Sequence, residues 1–362
     1  MRIAVISSVK YEMNGISAVI ENLYANNIFK EEDITFIFPS GSNCERIKTL
    51  KSLGYKVILL ERNNKPIRYY LQLKKILKTG GFDVLHVNGN SATNTVELLA
   101  GKRAKIPVRI MHNHSAQCLH PIINALCKPI LNLCCNVRFA CSKEAGQFLF
   151  GKRACNVINN GFKVENYQYN INKRKQLREQ FNISTQTVIG HVGVFSCLKN
   201  QEFALKVFVE YRKLNPNSLL LFIGDGELKL EIETQAKELK IEAYVIFAGN
   251  RDNVCELLNV FDYFIFPSRF EGLGIAPIEA QANGLPVLAS NRIPQVVKIN
   301  DNFVFLPLED GEKVWSEFLL SLPLARDENG CRNVALAGFD IGNVIEEVHN
   351  IYGKLLEEKK CK

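Results

Sequence analysis

Short apolar runs alternate with amphipathic stretches along the whole chain. In the first half, runs at 2–7, 34–38, 56–60, 84–87, 108–111 and 137–140 read as strands. Between them, apolar positions recur at helical spacing, for example over 16–26, 67–77 and 93–99. In the second half the strand-like runs fall at 188–194, 219–223, 244–247, 263–266 and 287–289. Strands alternating with helices predict an α/β fold: two doubly wound parallel sheets, each with helices on both faces. A polar stretch at 159–174, with Asn160-Gly161 as a turn, predicts the link between domains at 1–165 and 175–340. The amphipathic segment 341–358 follows the second domain.

One stretch organises the chemistry. The apolar run 263–266 ends at Pro267-Ser268, and a loop then carries Glu271 and Gly272 toward a helix predicted over 275–283. Gly274 allows a close backbone approach, and Gly284 with Pro286 ends the helix. Glu271 and Glu279, seven residues between them, thus lie near a strand's C-terminal mouth, where open α/β sheets bind ligands. Helix N-terminal N–H groups there suit a phosphate, and an ionised carboxylate accepts hydrogen bonds from hydroxyl groups. Phosphate plus several hydroxyls describes a nucleotide sugar.

Other strand ends carry further candidates. Asn14-Gly15 precedes a helix and fits a loop that hugs an anion. The run 108–111 leads into His112-Asn113-His114. His-x-His could bind a metal, but no third ligand is evident, and a hydrogen-bonded structural role is the alternative. His86 and His191 lie in strand patterns and read as structural. Gly193 ends a strand, and Lys199 begins the next helix, where its charge opposes the helix dipole. An anion bound between them removes that conflict, so Lys199 is a candidate diphosphate ligand. Gly224-Asp225-Gly226 reads as a tight turn between a strand and a helix, and Ser142 as a helix N-cap with Glu144 in the first turn.

Composition narrows the class. The chain has 362 residues, 47% of them hydrophobic, enough for two cores, and no apolar run is long enough to span a membrane. The N-terminal residues read as a first strand, not a signal peptide. Eleven cysteines, with no Cys-x-x-Cys pair, predict buried thiols in a reducing cytoplasm. Net charge is +8, unevenly spread: residues 1–165 hold 23 Lys and Arg against 11 Asp and Glu, a net of +12, leaving −4 for the rest. No nucleic-acid module is present, so the basic half points to an anionic membrane surface, with a merely solvated face as the alternative. The stretch 67–78, with Arg68, Lys74, Lys75 and Lys78, is the candidate membrane-facing helix.

The string from Pro267 to Ser290, with its two glutamates and its Gly and Pro positions, closely resembles the donor-site signature of the retaining glycosyltransferases of family 4, which have the GT-B fold. The likeness runs through the chain in matching order and is strongest over 140–290. It includes the stretch 140–152, similar to the piece that closes the first domain in bacterial polysaccharide glycosyltransferases, and 157–168, similar to the interdomain linker. It implies two Rossmann-like domains facing each other across a cleft, an acceptor domain first and a nucleotide-sugar domain second, with a terminal helix crossing back to the first. It assigns the ribose hydroxyls to Glu279, the transferred sugar to Glu271, with Gly272, Leu273 and Gly274 beside it, and the diphosphate to Lys199, Asn14 and Gly15. The base falls near Asn250 and Arg251, and the donor sugar near His112, with His114 as neighbour. The loop at 222–228 lines the ligand face.

Two departures stand out. Asn14 replaces the first glycine of the family's Gly-Gly loop. Val194 stands where the family has an arginine after the glycine, the loss of a contact worth about 1.5–3 kcal/mol, for which Arg269 is the candidate substitute. The implied activity is transfer from a nucleotide sugar, with UDP the commoner choice, to a polyprenyl-diphosphate-linked glycan at the cytoplasmic membrane face, in O-antigen, capsule or exopolysaccharide assembly. Neither metal nor cofactor is expected. Two alternatives remain open here: a non-catalytic subunit that binds nucleotide sugar, and a sugar-nucleotide epimerase of the same architecture.

Overall fold

The structure, a computed structural model, describes residues 1–12, 14–24, 29, 32–62 and 66–360. The last two positions of the helix predicted over 16–26 lie outside the described residues. The chain divides into two compact units, Met1–Phe162 with Ile341–Lys362, and Lys163–Asp340.

The first unit runs β1 (Arg2–Ser7), α1 (Gly15–Tyr24), β2 (Asp33–Pro39), α2 (Cys44–Ser52), β3 (Lys56–Leu60), α3 (Pro66–Gly80), β4 (Val84–Gly89), α4 (Thr95–Arg103), β5 (Val108–Asn113), α5 (Pro121–Cys134), β6 (Val137–Ala140), α6 (Lys143–Phe150) and β7 (Asn156–Val157). All seven strands pair in parallel in the order β3-β2-β1-β4-β5-β6-β7. Parallel neighbours need crossovers, which the helices supply. Strand side chains alternate between two cores. Ile3 and Val5 face one core with α1, while Ala4 and Ile6 face the other with α3, α4, α5 and α6. Ser142 caps α6, its Oγ accepting from Ala145 N at 3.1 Å. The two-residue strand β7 is exposed on both residues, so it leaves no apolar run to read in the sequence.

The second unit runs α7 (Ile171–Gln180), β8 (Thr187–Val192), α8 (Gln201–Leu214), β9 (Ser218–Ile223), α9 (Lys229–Glu238), β10 (Val245–Phe247), α10 (Val254–Leu257), β11 (Tyr263–Phe266), α11 (Ile275–Ala282), β12 (Val287–Ser290), β13 (Phe303–Leu306), α12 (Gly311–Ser321) and α13 (Gly330–Val334). Its parallel sheet has the order β10-β9-β8-β11-β12-β13. Strand β8 stops at Val192, before the predicted 194, and Gly193 N makes the last bond of its ladder, donating to Ile223 O at 3.0 Å. A Cβ on Gly224 would sit 2.1 Å from the Gly193 carbonyl oxygen, so glycine lets these two loops touch. In the 159–174 stretch, the changeover between units falls between Phe162 and Lys163. Arg174 already belongs to the second unit, donating to Asn259 O, Phe261 O and Asp262 Oδ1 at 2.6–2.9 Å.

The last helix, α14 (Ile341–Lys360), belongs to the first unit. Its Val344, Ile345, Val348 and Tyr352 enter the core beside α1. Cys134, Cys135 and Cys141 are buried and unpaired. Among the described residues, no helix is long and apolar enough to cross a membrane, and no three His, Cys, Asp or Glu side chains cluster as a metal site.

Candidate functional site

The second unit gathers three charged groups at the C-terminal edge of its sheet. All four residues of β11 are buried, and Pro267 ends the strand. The loop that follows reaches α11 through Gly274, whose φ of +88° is open to glycine at little strain. Pro277 falls in the first turn of α11, where a missing N–H leaves no intrahelical bond unmade. Gly284, at φ +78°, stops the chain after Asn283. Glu279 therefore sits one turn inside α11, and Glu271 on the loop before it.

Lys199 lies on the turn before α8, which starts at Gln201 and not at the lysine as predicted. Asn200 between them adopts a left-handed conformation, φ 57°. Asn200 Nδ2 donates to Pro267 O at 3.1 Å, Arg269 Nη2 donates to Asn200 Oδ1 at 3.0 Å, and Arg269 N donates to Leu198 O at 2.7 Å. These bonds lace the 196–200 turn to the 267–271 loop. As a result Lys199 Nζ donates to Glu271 Oε1 at 2.7 Å and lies 4.8 Å over the Phe266 ring. Both side chains are only partly buried. Arg269, the candidate substitute for the family arginine, is engaged with Asn200, while Val194 is 49% exposed. No side chain caps the N-terminus of α8 or of α11, so their first N–H groups lack a side-chain acceptor.

Glu279 is held differently. Its Oε1 accepts from Tyr167 Oη at 2.6 Å. Burial pushes its pKa up, while the Tyr167 hydroxyl and the charge of Lys199 hold it back. Tyr167 is positioned in turn, its carbonyl accepting from Asn283 Nδ2 at 2.7 Å. Asn283 is braced by Arg326, whose Nη2 also donates to Phe261 O at 2.6 Å. Sequence reasoning missed Tyr167; it sits in a stretch read only as linker. His191, buried beneath Lys199 against Phe266 and Phe222, has its pKa pushed down to about 3 by burial and by the Lys199 charge. Asn250 and Arg251 lie exposed after β10, two strands from β8. Their loop meets the end of β9 through Gly224 N, which donates to Gly249 O at 2.9 Å, and through Ala248 N, which donates to Phe222 O at 2.9 Å. Gly272 and Leu273 complete the loop beside Glu271.

The first unit carries the remaining predicted residues. Asn14 caps α1: its Oδ1 accepts from Ser17 N at 3.0 Å, and its Nδ2 donates to Lys10 O at 3.0 Å. A Cβ on Gly15 would meet nothing within 4 Å, so packing makes no demand for glycine there. His112, at the end of β5, is buried, with its Nδ1 3.1 Å from His86 Nε2. His86 Nδ1 is 2.6 Å from Tyr24 Oη and also bonds Tyr352 Oη of α14. His114 stacks 4.1 Å from His112, and its Nε2 donates to Asn88 Oδ1 at 3.0 Å. Burial lowers all three histidines, His86 and His114 to about 3 and His112 well below its ordinary value. His112 Nε2 has no partner in the structure. His86, read from sequence as structural, thus links His112 to the terminal helix.

This arrangement offers a cation–carboxylate pair, a second, partly buried carboxylate and two helix N-termini without side-chain caps, a set that fits an anion bearing hydroxyl groups. Residues 173–310, most of the second unit, match the family model for glycosyl transferases group 1. The chain is 26% identical to EpsF of Bacillus subtilis (strain 168), covering 93% of each chain. It is 24% identical to the Escherichia coli UDP-Gal:α-D-GlcNAc-diphosphoundecaprenol α-1,3-galactosyltransferase, covering 82% of this chain and 81% of that one. Among solved structures, Anabaena HepE in complex with UDP-glucose superposes with a TM-score of 0.81 at 17% identity, covering 97% of this chain and 99% of that one.

Proposed function

The chain is a glycosyltransferase of GT-B fold with a group 1 domain, and from that premise we propose that it transfers a sugar from a UDP-linked donor, with retention of configuration, to a lipid-linked oligosaccharide in bacterial surface polysaccharide assembly. The observation that carries this reading is the Lys199–Glu271 pair, 2.7 Å apart, set against α8 and α11 beside the partly buried Glu279. A half-buried ion pair whose members would each be costly to leave alone suits a ligand that replaces both partners at once. A diphosphate takes the lysine, and sugar hydroxyls take the carboxylate.

In this reading Glu279 receives the ribose hydroxyls. Tyr167 occupies one of its oxygens and fixes the direction of the other. Lys199 and the uncapped amides of α8 and α11 neutralise the diphosphate as it leaves. Such preorganised charge is often the largest catalytic contribution, so the reading assigns this role to the protein and not to a metal. His112 Nε2 is buried without a partner inside the first unit, and the role beside the sugar remains what the family likeness implies for it. The UDP preference is supported by the names of the Escherichia coli relative and the HepE complex, and the lipid-linked acceptor by the diphosphoundecaprenol in the former. The basic first unit supports attachment to the cytoplasmic membrane face.

The test is transfer of label from a panel of UDP-sugars to a polyprenyl-diphosphate-linked oligosaccharide. We expect acceptor-dependent transfer, lost in Lys199→Ala. Turnover of the donor without acceptor would point to an epimerase, and binding without turnover to a non-catalytic subunit.

A further inference from the structure

We infer that α5 of the first unit is a membrane-docking helix that seats its outer face in an anionic lipid surface. Its sequence, from Pro121 to Cys134, contains a single charged residue. Only Asn124, Leu131 and Cys134 are fully buried. The opposite face is apolar and open to water: Ile122 is 77% exposed, Leu126 72% and Leu133 70%, and Leu119 just before the helix is 93% exposed. Ile123 and Ile130 flank them. Lys128, the one charge, turns inward, its ammonium donating to Phe148 O and lying 4.8 Å over the Phe148 ring. Folding has therefore removed the helix's only charge from a face that buries nothing. Contiguous exposed apolar surface of this kind marks an interaction site.

The surroundings select the occupant. Helices α4, α5 and α6 each cross back between parallel strands, so their C-terminal ends share the N-terminal edge of the sheet. That edge is basic, with Lys102, Arg103 and Lys105 at the end of α4, and Lys152 and Arg153 just past α6, all exposed. Lys102 Nζ donates to Leu133 O at 2.9 Å, which ties this collar to the apolar helix. Across 95–153 there are nine Lys and Arg against two Asp and Glu, and one of those acids, Glu97, is buried against Arg62. A second copy of this chain would bring a like-charged collar to the same face. An anionic bilayer offers hydrocarbon for the leucines and isoleucines and phosphate for the collar.

The expected membrane helix at 67–78 takes a secondary place. In α3, Tyr69, Leu73 and Leu77 are buried, and it packs beside α4 on the far side from α5. Its Ile67, Leu71, Arg68, Lys75 and Lys78 are exposed, and Lys74 is partly so.

This inference deepens the proposed lipid-borne acceptor but is tested without it. Full-length protein is floated with vesicles of phosphatidylcholine alone and of phosphatidylcholine with phosphatidylglycerol, beside the double variant Leu126→Asp/Leu133→Asp. We expect binding to the anionic vesicles only, and a fall of at least about tenfold in the variant, with thermal melting and nucleotide-sugar binding unchanged. Arg103→Glu/Lys105→Glu should weaken binding to anionic vesicles, and Arg68, Lys74, Lys75 and Lys78 changed together to Ala should weaken it less. If the aspartate variant fails to fold, Ile122→Ser/Leu126→Ser carries the same test. Unchanged vesicle binding in these α5 variants overturns the inference while leaving the transfer reading intact. Absence of vesicle binding, with a dimer that Leu126→Asp dissolves, also overturns it and assigns the face to self-association. Lost nucleotide-sugar binding with vesicle binding kept would break the transfer reading and leave this one standing.

Discussion

Both units end their parallel sheets in polar side chains, yet they hold those groups in opposite ways. In the first, His86, His112 and His114 are neutral, buried and bonded to neighbours in the same unit. In the second, Lys199 and Glu271 are charged, only partly buried and bonded to each other. A buried hydrogen-bonded network, even one that leaves His112 Nε2 and His114 Nδ1 without partners, resists rearrangement, whereas an ion pair at a loop can trade its partner for a ligand. The contrast teaches that the first unit locks its histidines into a buried network, while the second unit leaves a charged pair at a loop, which the proposed function reads as held ready for exchange.

The largest effect should come from breaking the exchangeable pair. Lys199→Ala removes the cation proposed to meet the diphosphate, and transfer should fall by about 10²–10³-fold, the scale seen when one preorganised electrostatic donor is lost. Lys199→Arg should recover part of it. An unaltered rate would mean that the pair is structural and the two units are alike after all.

Acid should separate the units next. A histidine whose folded pKa lies below its unfolded value, about 6.5, binds fewer protons folded than unfolded. It leaves stability intact above 6.5, and stability is lost as pH falls toward the folded value, by up to about 1.4 kcal/mol per pH unit for each such group. The first unit carries three of these histidines and the second carries His191. Glu279 acts with the opposite sign: its raised folded pKa adds stability at low pH, which fades as pH rises through that value. Hydrogen exchange at pH 7 and pH 5 should therefore show β4 and β5 losing more protection than β8 and β11. Equal loss would contradict the contrast.

Tyr167→Phe probes the fixed part of the second site. It takes a hydrogen bond from a partly buried carboxylate oxygen, at a cost of up to about 1–3 kcal/mol, and should raise the Glu279 pKa further. Calorimetry should show donor binding weakened by about tenfold at neutral pH, with recovery impossible by adding salt. Val194→Arg should give the smallest change and the opposite sign. It returns a cation to an exposed loop position, so donor affinity should rise a few-fold, below the about 1.5–3 kcal/mol of a fully formed charged hydrogen bond.

The legible parts of the site are those whose residues are close in sequence or punctuated by glycine and proline. Glu271 and Glu279 could be placed because Pro267, Gly274 and Gly284 fix the strand, loop and helix between them. Lys199 could be named from its motif, though not its place on a left-handed turn before α8, which depends on Asn200 bonding the 267–269 loop. Tyr167 lies 112 residues from its partner Glu279, and Tyr352 lies 266 from His86; no local pattern announces pairs so distant. The apolar face of α5 was hidden for a different reason. Periodic apolar residues read as buried, and only packing shows which of them are left outside. The stretch 67–78 drew attention because charges are visible in sequence, whereas an uncovered leucine is not.

The most direct measurement is a thermal-shift screen of the purified protein against UDP-, GDP- and dTDP-sugars, with Glu279→Ala beside it. The account predicts stabilisation of the wild type by a UDP-sugar and none in the variant, because the role proposed for the second unit's Glu279 is to hold the ribose. No shift with any UDP-sugar, or an equal shift in Glu279→Ala, would contradict it.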